Sequence, residues 1–265
     1  MVQELERTRT KSPFPETAPA AYRTLAGLVE LGTLTPEERD IVSKMQRGLK
    51  AMPSGRWLWV GGTEWSKNPK NFSGAYNCTS TNVVDWRAFG LMMDLAMMGC
   101  GTGAVLEPKY INQLPAIRNT IKVTMRGDVG MTIESQRREE AEIKVDEANN
   151  RVEIIAGDSR QGWVKSYQTL LELSTDERFD GEVEAIIDLS DIRPAGERLK
   201  GFGGMANPVK LPELYDRCAK ILNAAKGRQL NSIECCLLID EAAACVVAGN
   251  IRRSAGMRQF ASDDD

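Results

Sequence analysis

Cysteine and arginine are the residue types with the clearest capacity for chemistry, because the 265-residue chain contains no histidine. Without imidazole, a Ser-His-Asp or Cys-His mechanism within the chain is excluded, and the commonest metal ligand is missing. The six cysteines are scattered and include no CxxC pair, so their spacing suits neither a disulfide framework nor a zinc site. Any chemistry that this chain performs is therefore expected to use cysteine sulfur.

Cys78 is the first candidate, since it follows Asn77 and precedes residues 79–84, a polar and apolar mixture able to line a cleft. A lone cysteine is more often a small buried residue than a nucleophile. Residues 99–103, Gly-Cys-Gly-Thr-Gly, have the glycine density of a dinucleotide-binding loop. Such a loop follows a strand and opens a helix, whereas these glycines follow a predicted helix and lead into an apolar run. The order favours a helix-to-strand turn whose backbone a ligand can approach closely.

Three turns could bind anions. Arg252 and Arg253 follow a strongly apolar run, and Arg193 lies in a loop rich in proline and glycine at residues 190–196. The planar guanidinium group pairs well with phosphate and carboxylate. Ser54 offers a hydroxyl beside exposed backbone amides, as phosphate cradles do. An ordinary surface turn is an open alternative for each of them.

Capping residues and periodicity predict the elements that position these residues. Helices are expected from Pro36, over residues 85–98 and 161–173, from Leu211 and over residues 231–248, with a β-hairpin over residues 141–155 and a short strand over residues 183–189. Helices alternate with short strands, which predicts an α/β fold.

Charge and hydropathy exclude several classes of partner. A net charge of −3 and a pI near 5.4 give no basic footprint for nucleic acid. No apolar run approaches the roughly 20 residues that a membrane span needs. The charged amino terminus lacks the apolar core of a signal peptide. A cytoplasmic protein is expected.

Six segments, taken together, resemble the adenosylcobalamin-dependent (class II) ribonucleotide reductases, and most closely the monomeric ribonucleoside-triphosphate reductases. They are residues 52–59, 77–78, 99–103, 157–163, 190–196 and 249–255. The resemblance spans nearly the whole chain. It implies part of a ten-stranded α/β barrel of the ribonucleotide reductase type.

The resemblance also implies a division of the chain. It predicts an N-terminal helical region over residues 1–52 and a first part of the barrel over residues 53–107. A hairpin-bearing insertion over residues 108–186 is expected to stand in for a second subunit at the effector site, which implies a monomer. Residues 187–265 are expected to continue the barrel.

The activity implied by the resemblance is reduction of ribonucleoside triphosphates to 2′-deoxyribonucleoside triphosphates by thiyl-radical chemistry. Adenosylcobalamin would generate the radical, and a thioredoxin-like protein would be the reductant. Cys78 matches the first thiol of the reducing pair. Ser54, Asn77 and Gly101 match residues that hold the substrate nucleotide.

A deoxynucleoside triphosphate effector is implied as a second ligand. Arg193 and Arg252 look like residues of the two loops that carry the effector signal to the active site. Asp85 is a looser match to the acidic residue that meets the effector's sugar.

Several parts of the family pattern find no match in this sequence: the radical cysteine, the partner thiol of Cys78 and most of the cobalamin-binding face. The hypothesis is an amino-terminal portion with no turnover alone, whose barrel a second chain could complete. Three alternatives stay open: a non-catalytic deoxynucleotide-binding fragment or subunit of a split reductase, a dinucleotide-dependent oxidoreductase built on the glycine cluster, and a purely structural α/β domain.

Overall fold

The computed structural model describes residues 18–198, 206–247 and 255–263. The chain forms two compact units, Met1–Asn77 and Cys78–Asp265. Within the described ranges, no helix combines the length and the apolar character that crossing a bilayer requires. Arg252 lies outside the described residues.

The first unit is helical in its described part. Its elements are α1 (Ala18–Glu30), α2 (Pro36–Arg47), α3 (Gly55–Val60), α4 (Glu64–Lys67) and a 3₁₀ helix (Pro69–Ala75). The predicted start of α2 is confirmed: the Glu38 backbone N–H donates to Thr35 Oγ1 at 3.2 Å, and the Thr35 N–H donates to the Glu38 carboxylate at 2.9 Å. This reciprocal capping box satisfies two backbone donors that the first turn leaves without partners.

The described strands of the second unit form two sheets. The first sheet contains β1 (Cys78–Asn82), β2 (Gly101–Val105) and β7 (Ala255–Gln259), in the order β1-β2-β7 and all parallel. The second sheet contains β3 (Thr120–Gly127), β4 (Glu142–Asp146), β5 (Arg151–Ile155) and β6 (Glu182–Asp188), in the order β3-β6-β5-β4. The predicted hairpin is confirmed, since β4 and β5 pair antiparallel, while β3, β6 and β5 run parallel.

Helices connect the strands and fill the space between the two sheets. They are α5 (Trp86–Met97), α6 (Pro108–Ile111), α7 (Arg160–Leu173), α8 (Leu211–Ala224) and α9 (Ser232–Val247). Helices α5 and α9 contact strands of the first sheet, whereas α7 and α8 contact strands of the second. The two helix pairs pack on each other through α5 with α7 and α8 with α9. The core of this unit is therefore a helical layer with a sheet on either side.

Large side chains from α5, α7 and α8 meet in that layer. Phe89, Met92, Tyr167 and Tyr215 are fully buried, and burial of each such side chain stabilises the fold by about 2 kcal/mol. The buried hydroxyl groups have partners: Tyr215 lies 2.7 Å from Ser166 Oγ, and Tyr167 donates to the Leu238 carbonyl at 2.9 Å. Because a buried hydroxyl without a partner is costly, these bonds fix how α7, α8 and α9 pack.

The order of elements around the glycine cluster is also as predicted. Helix α5 begins after the cap residue Asp85, and Gly99, with φ +70°, ends it. Residue 101 then opens β2, so the glycines form a helix-to-strand turn and not a dinucleotide-binding loop. The fold is mixed α/β as expected. The described strands make two smaller sheets, so that these belong to part of a ten-stranded barrel stays a prediction.

Candidate functional site

Cys78 is the first residue of β1, and it pairs in register with Gly101, the first residue of β2. On the other side of β2, Gly101 pairs with Ala255, the first residue of β7. The strands are parallel, so Cys78, Gly101 and Ala255 lie at one edge of the first sheet, called here the amino-terminal edge. The Cys78 side chain is exposed, and its thiol is therefore open to ligands at this edge.

The other five cysteines, all in the described ranges, have different surroundings. Cys100, Cys218, Cys235 and Cys245 are buried. Burial raises the pKa of the Cys235 and Cys245 thiols to about 12 and that of Cys218 further still. Cys236 is half-buried, and burial together with the Asp240 carboxylate raises its pKa. Because the thiolate is the reactive form, these surroundings make the five thiols poor nucleophiles.

Close approach of β1 and β2 depends on a small residue. A Cβ atom placed on Gly103 would lie 2.7 Å from the Thr79 carbonyl oxygen. Glycine is used where two backbones come this near. Gly103 therefore helps to set the position of β1, and with it that of Cys78.

Ser54 and Asn77 belong to the first unit, and one arginine lies between them in the sequence. Ser54 caps α3 by accepting a hydrogen bond from the Trp57 N–H at 3.3 Å. Asn77 Oδ1 accepts from Arg56 Nε at 3.0 Å, and Arg56 Nη1 donates to the Gly74 carbonyl at 3.0 Å. Arg56 is only 7% exposed. Sequence reasoning included Arg56 in a motif without a role, and in the structure it fixes the orientation of the Asn77 amide.

Arg193 lies in a second constellation, called here the arginine–carboxylate cluster. Its members are Arg137, Arg138, Asp158, Asp191, Arg193 and Glu197. The Arg193 backbone N–H and Nε both donate to Asp158 Oδ1, at 3.1 and 2.9 Å. The expected anion for this arginine is thus a carboxylate of the same chain.

Arg137 also binds the loop that carries Arg193, through Glu197. Its Nη1 donates to both oxygens of Glu197, at 2.8 and 2.9 Å, and lies 3.7 Å from Asp158 Oδ2. The hydrogen bond with Glu197 raises the pKa of the Arg137 guanidinium. Arg138 Nη1 lies 3.3 Å from Asp191 Oδ2. The side chains of Arg137 and Asp158 are each 9% exposed, so these charges are largely removed from water and depend on one another.

Glycine also allows the backbone packing beside this cluster. A Cβ atom on Gly157 would lie 2.4 Å from the Glu139 carbonyl oxygen. The Asp158 N–H donates to the Arg138 carbonyl at 2.7 Å, and Ser159 Oγ donates to the Glu139 carbonyl at 2.5 Å. Sequence reasoning quoted residues 157–163 as a motif but assigned them no contact. The structure explains these residue types by this close packing. The cluster residues that sequence reasoning missed are Asp158, Arg137 and Glu197.

Asp85 is not near Arg193, because the two residues lie at opposite ends of the packed helices α5 and α7. At one end, Arg160 in the first turn of α7 is paired with Asp94 in the last turn of α5. At the other, Trp86 Nε1 donates at 2.9 Å to Thr175 Oγ1, just after α7. The helices are therefore antiparallel, and the 12 residues of α5 span about 18 Å.

Each of these two residues has a local partner at its own end. Asp85 accepts from the Ala88 N–H at 3.1 Å as the cap of α5, and from Arg87 Nε at 2.8 Å. Arg193 bonds Asp158, just before α7 begins, which places it at the end of α5 that leads into Gly101. The cluster and the amino-terminal edge of the first sheet thus lie at the same end of α5.

Part of this chain matches a known protein family. Residues 128–222 match the family described as B12-dependent ribonucleotide reductase, insertion domain. These residues include the whole arginine–carboxylate cluster, most of the second sheet and helix α7.

Relatives match over most of the chain. The adenosylcobalamin-dependent ribonucleoside-triphosphate reductase of Levilactobacillus brevis is 28% identical over 98% of this chain and 40% of its own length. That of Lactobacillus acidophilus is 27% identical over 88% of this chain and 35% of its own length. A crystal structure of a B-12 dependent (class II) ribonucleotide reductase superimposes with a TM-score of 0.75 at 23% identity, over 97% of this chain and 41% of that one.

The chain spans about two fifths of the length of these relatives. The match to the insertion domain, the relatives and the shared fold agree with one another. The chain is therefore similar in sequence and fold to the adenosylcobalamin-dependent (class II) ribonucleotide reductases, and its residues 128–222 match their insertion domain.

Proposed function

We propose that this chain forms part of an adenosylcobalamin-dependent ribonucleoside-triphosphate reductase and supplies one thiol of its reducing pair. The observation that carries this proposal is the exposed Cys78 thiol, which lies at the amino-terminal edge of the first sheet in register with Gly101. The relatives are named for the activity of whole proteins, and this chain spans about two fifths of their length.

In the proposed reaction, Cys78 and a second thiol are oxidised to a disulfide. They deliver two electrons and two protons, the ribose 2′-hydroxyl leaves as water, and the 2′ carbon becomes a CH₂ group. A thioredoxin-like dithiol would then reduce the disulfide. Four of the remaining cysteines are buried and Cys236 lies on α9, so we assign neither the partner thiol nor a radical-bearing cysteine to them.

Adenosylcobalamin is the cofactor in the names of the relatives. The described residues contain no group of three or more Cys, Asp or Glu side chains placed to hold a metal ion. The corrin ring itself carries the cobalt of this cofactor, and we assign no cobalamin contact to the described residues and derive no step through the cofactor.

Substrate contacts are proposed for Ser54, Asn77 and Gly101. Arg56 engages the Asn77 oxygen, which leaves the Asn77 amide nitrogen as a donor for a nucleotide oxygen. Gly101 supplies backbone without a side chain directly beside Cys78. The exposed Cys78 thiol and the Gly101 backbone support a nucleotide whose ribose lies at the amino-terminal edge.

We also propose that the first sheet is part of a ten-stranded α/β barrel completed by other strands. Among the described residues, β7 has a partner on one edge only, and Met257 on it is 61% exposed. Parallel sheets are normally covered on both faces, and an exposed edge strand invites further pairing. A second chain that supplies the next strand is one way to meet this requirement.

The effector is proposed to be a deoxynucleoside triphosphate that binds at the arginine–carboxylate cluster. Arg193 is already in this cluster, and Arg252, outside the described residues, precedes Ala255 in the sequence. Asp85 lies at the other end, so we propose Asp158 instead as the carboxylate that meets the sugar.

Protection of Cys78 from alkylation tests the substrate site without requiring turnover. Saturating ribonucleoside triphosphate should slow maleimide labelling of Cys78, because bound ribose covers the thiol. Labelling of Cys236 in the same molecules is the internal control and should not change. Unchanged labelling of Cys78 at millimolar nucleotide would contradict the substrate site.

A non-catalytic deoxynucleotide-binding role is the second candidate, and the arginine–carboxylate cluster favours it. Calorimetry with a deoxynucleoside triphosphate separates the two. Binding that Arg193→Gln abolishes, with no ribonucleotide protection of Cys78, would leave the binding role and remove the catalytic one.

A further inference from the structure

Arg193 is an anion-binding candidate whose guanidinium is already in use. Nε donates to Asp158 Oδ1 at 2.9 Å, Nη2 to the Asp158 carbonyl at 3.4 Å and Nη1 to the Arg198 carbonyl at 3.2 Å. The Arg193 side chain is 17% exposed and that of Asp158 is 9% exposed. These bonds use three of the five N–H groups, and a phosphate group that takes the Nε–Nη2 edge of this guanidinium must displace Asp158.

The loop that carries Arg193 is held independently of Asp158. Glu197, four residues further on, accepts two hydrogen bonds from Arg137. The Gly130 N–H donates to the Ile192 carbonyl at 2.8 Å, and the Thr132 N–H donates to the Ser190 carbonyl at 3.0 Å. Release of Arg193 from Asp158, at its guanidinium and at its backbone N–H, therefore leaves Ser190, Ile192 and Glu197 in place.

Asp158 also keeps a positive neighbour when Arg193 leaves. Arg137 Nη1 lies 3.7 Å from Asp158 Oδ2. A largely buried carboxylate that loses its only counter-ion is strongly destabilised. Because Arg137 lies close to both Asp158 and Glu197, it reduces this cost. Arg193 can then exchange Asp158 for another anion.

We propose that the Arg193–Asp158 ion pair is an internal latch, which a phosphate-bearing ligand opens by taking Arg193 away from Asp158. Arg137 is a positioning residue that holds the loop through Glu197 and stabilises the released Asp158. This inference rests on the proposed effector site and adds a gate to it. The latch lowers the apparent affinity for the ligand by the fraction of molecules in which Arg193 is released.

Inorganic tripolyphosphate is the probe, since it carries the phosphates without the sugar that Asp158 could also bind. Asp158→Asn removes the competing carboxylate, and calorimetry should show about tenfold tighter tripolyphosphate binding than in the wild-type chain. Glu142→Gln is the matched control, because Glu142 is exposed, lies outside the cluster and pairs with Arg138 at 3.6 Å. It removes an equal charge and should change the affinity less than about twofold.

The double variant Asp158→Asn/Arg193→Gln separates release of Arg193 from a simple change of local charge. In the Arg193→Gln background, Asp158→Asn should bring no gain. A gain that persists there, or a gain equal to that of Glu142→Gln, would overturn the latch while leaving the effector site in place.

Hydrogen exchange of the wild-type chain tests the latch without any variant. The Arg193 backbone N–H is bonded to Asp158 Oδ1 at 3.1 Å, so saturating tripolyphosphate should speed its exchange. Unchanged protection of that amide with ligand bound would overturn the latch. If neither the wild-type chain nor Asp158→Asn binds tripolyphosphate or a deoxynucleoside triphosphate, the effector site itself fails and the latch fails with it.

Discussion

Cys78 and Gly101 open two adjacent parallel strands and pair with each other across them. This pairing places the exposed thiol beside a residue that has no side chain to shield it. The buried cysteines are found in the helical layer and in the turn after α5. Position in the fold therefore separates one reactive thiol from the other five.

Thiol labelling should reveal this separation directly. N-ethylmaleimide added to the native chain should modify Cys78 first and Cys236 more slowly, because burial raises the pKa of the latter. The four buried thiols should react only after unfolding. Peptide mass spectrometry over a time course measures each rate. In Cys78→Ser the fast phase should vanish, and a buried cysteine labelled as fast as Cys78 would contradict this arrangement.

Gly103→Ala should disturb the strand pair that carries Cys78. The added methyl group would lie 2.7 Å from the Thr79 carbonyl oxygen, so β1 and β2 must separate or bend. We expect a loss of about 2 kcal/mol in the free energy of unfolding, measured by urea denaturation. Ribonucleotide protection of Cys78 should weaken as well.

Gly55→Ala is the matched control for this change. No atom lies within 4 Å of a Cβ placed on Gly55, the first residue of α3. Alanine favours a helix over glycine, so the change should be neutral or stabilising by up to about 1 kcal/mol. Equal losses in the two variants would show that contact with Thr79 is not the cause.

Local signals predicted the elements of the fold, and the reason lies in the range of the contacts involved. The capping box of Thr35 and Glu38 and the hairpin at Glu147–Asn149 depend on residues close together in the sequence. The glycine turn after α5 was likewise settled by the order of neighbouring segments. Such features are decided by backbone chemistry within a few residues.

Local sequence signals could not predict the tertiary contacts of the candidate site. Arg137 and Glu197 stand 60 residues apart, and neither belongs to a short motif. The distance of Asp85 from Arg193 follows from the antiparallel packing of α5 on α7, which no pattern within either helix encodes. Sequence reasoning could therefore name Arg193 but not the carboxylate that holds it.

Asn223→Asp should weaken the attachment of α8 to the second sheet. Asn223 Nδ2 donates to the Ile121 carbonyl at 2.9 Å, and the Ile121 N–H donates to Asn223 Oδ1 at 2.7 Å. The side chain thus pairs with β3 as a neighbouring strand would. An aspartate can accept but cannot donate, so the Ile121 carbonyl loses its partner, at a cost of about 2 kcal/mol in the free energy of unfolding.

Urea denaturation measures this cost against Asn112→Asp. Asn112 is exposed, and the same chemical change there should alter stability by less than about 0.5 kcal/mol. Similar losses at both positions would mean that the added negative charge, and not the missing donor, is responsible.

Glu234→Gln should destabilise the chain in a way that depends on pH. Arg228 donates to both oxygens of Glu234, at 2.7 and 2.6 Å, and the Asn231 N–H donates to the same carboxylate at 3.0 Å. The hydrogen bonds from Arg228 lower the pKa of Glu234 from its ordinary value of 4.5. The unfolded chain therefore takes up this proton more readily than the folded chain does.

It follows that the charged form of Glu234 contributes stability above about pH 4.5, and that this contribution is lost as the pH falls through the lowered pKa. Glutamine keeps the shape and the acceptor for Asn231 but never carries the charge. We expect Glu234→Gln to be about 1 kcal/mol less stable at pH 7, with a difference that shrinks as the pH falls below about 4.5. Urea denaturation of both proteins from pH 7 to about pH 3 measures this, and other carboxylates with lowered pKa values, such as Asp176, cancel because both proteins contain them. Arg228→Gln should show the same dependence, and a difference that is constant with pH would show that the ion pair does not stabilise the start of α9.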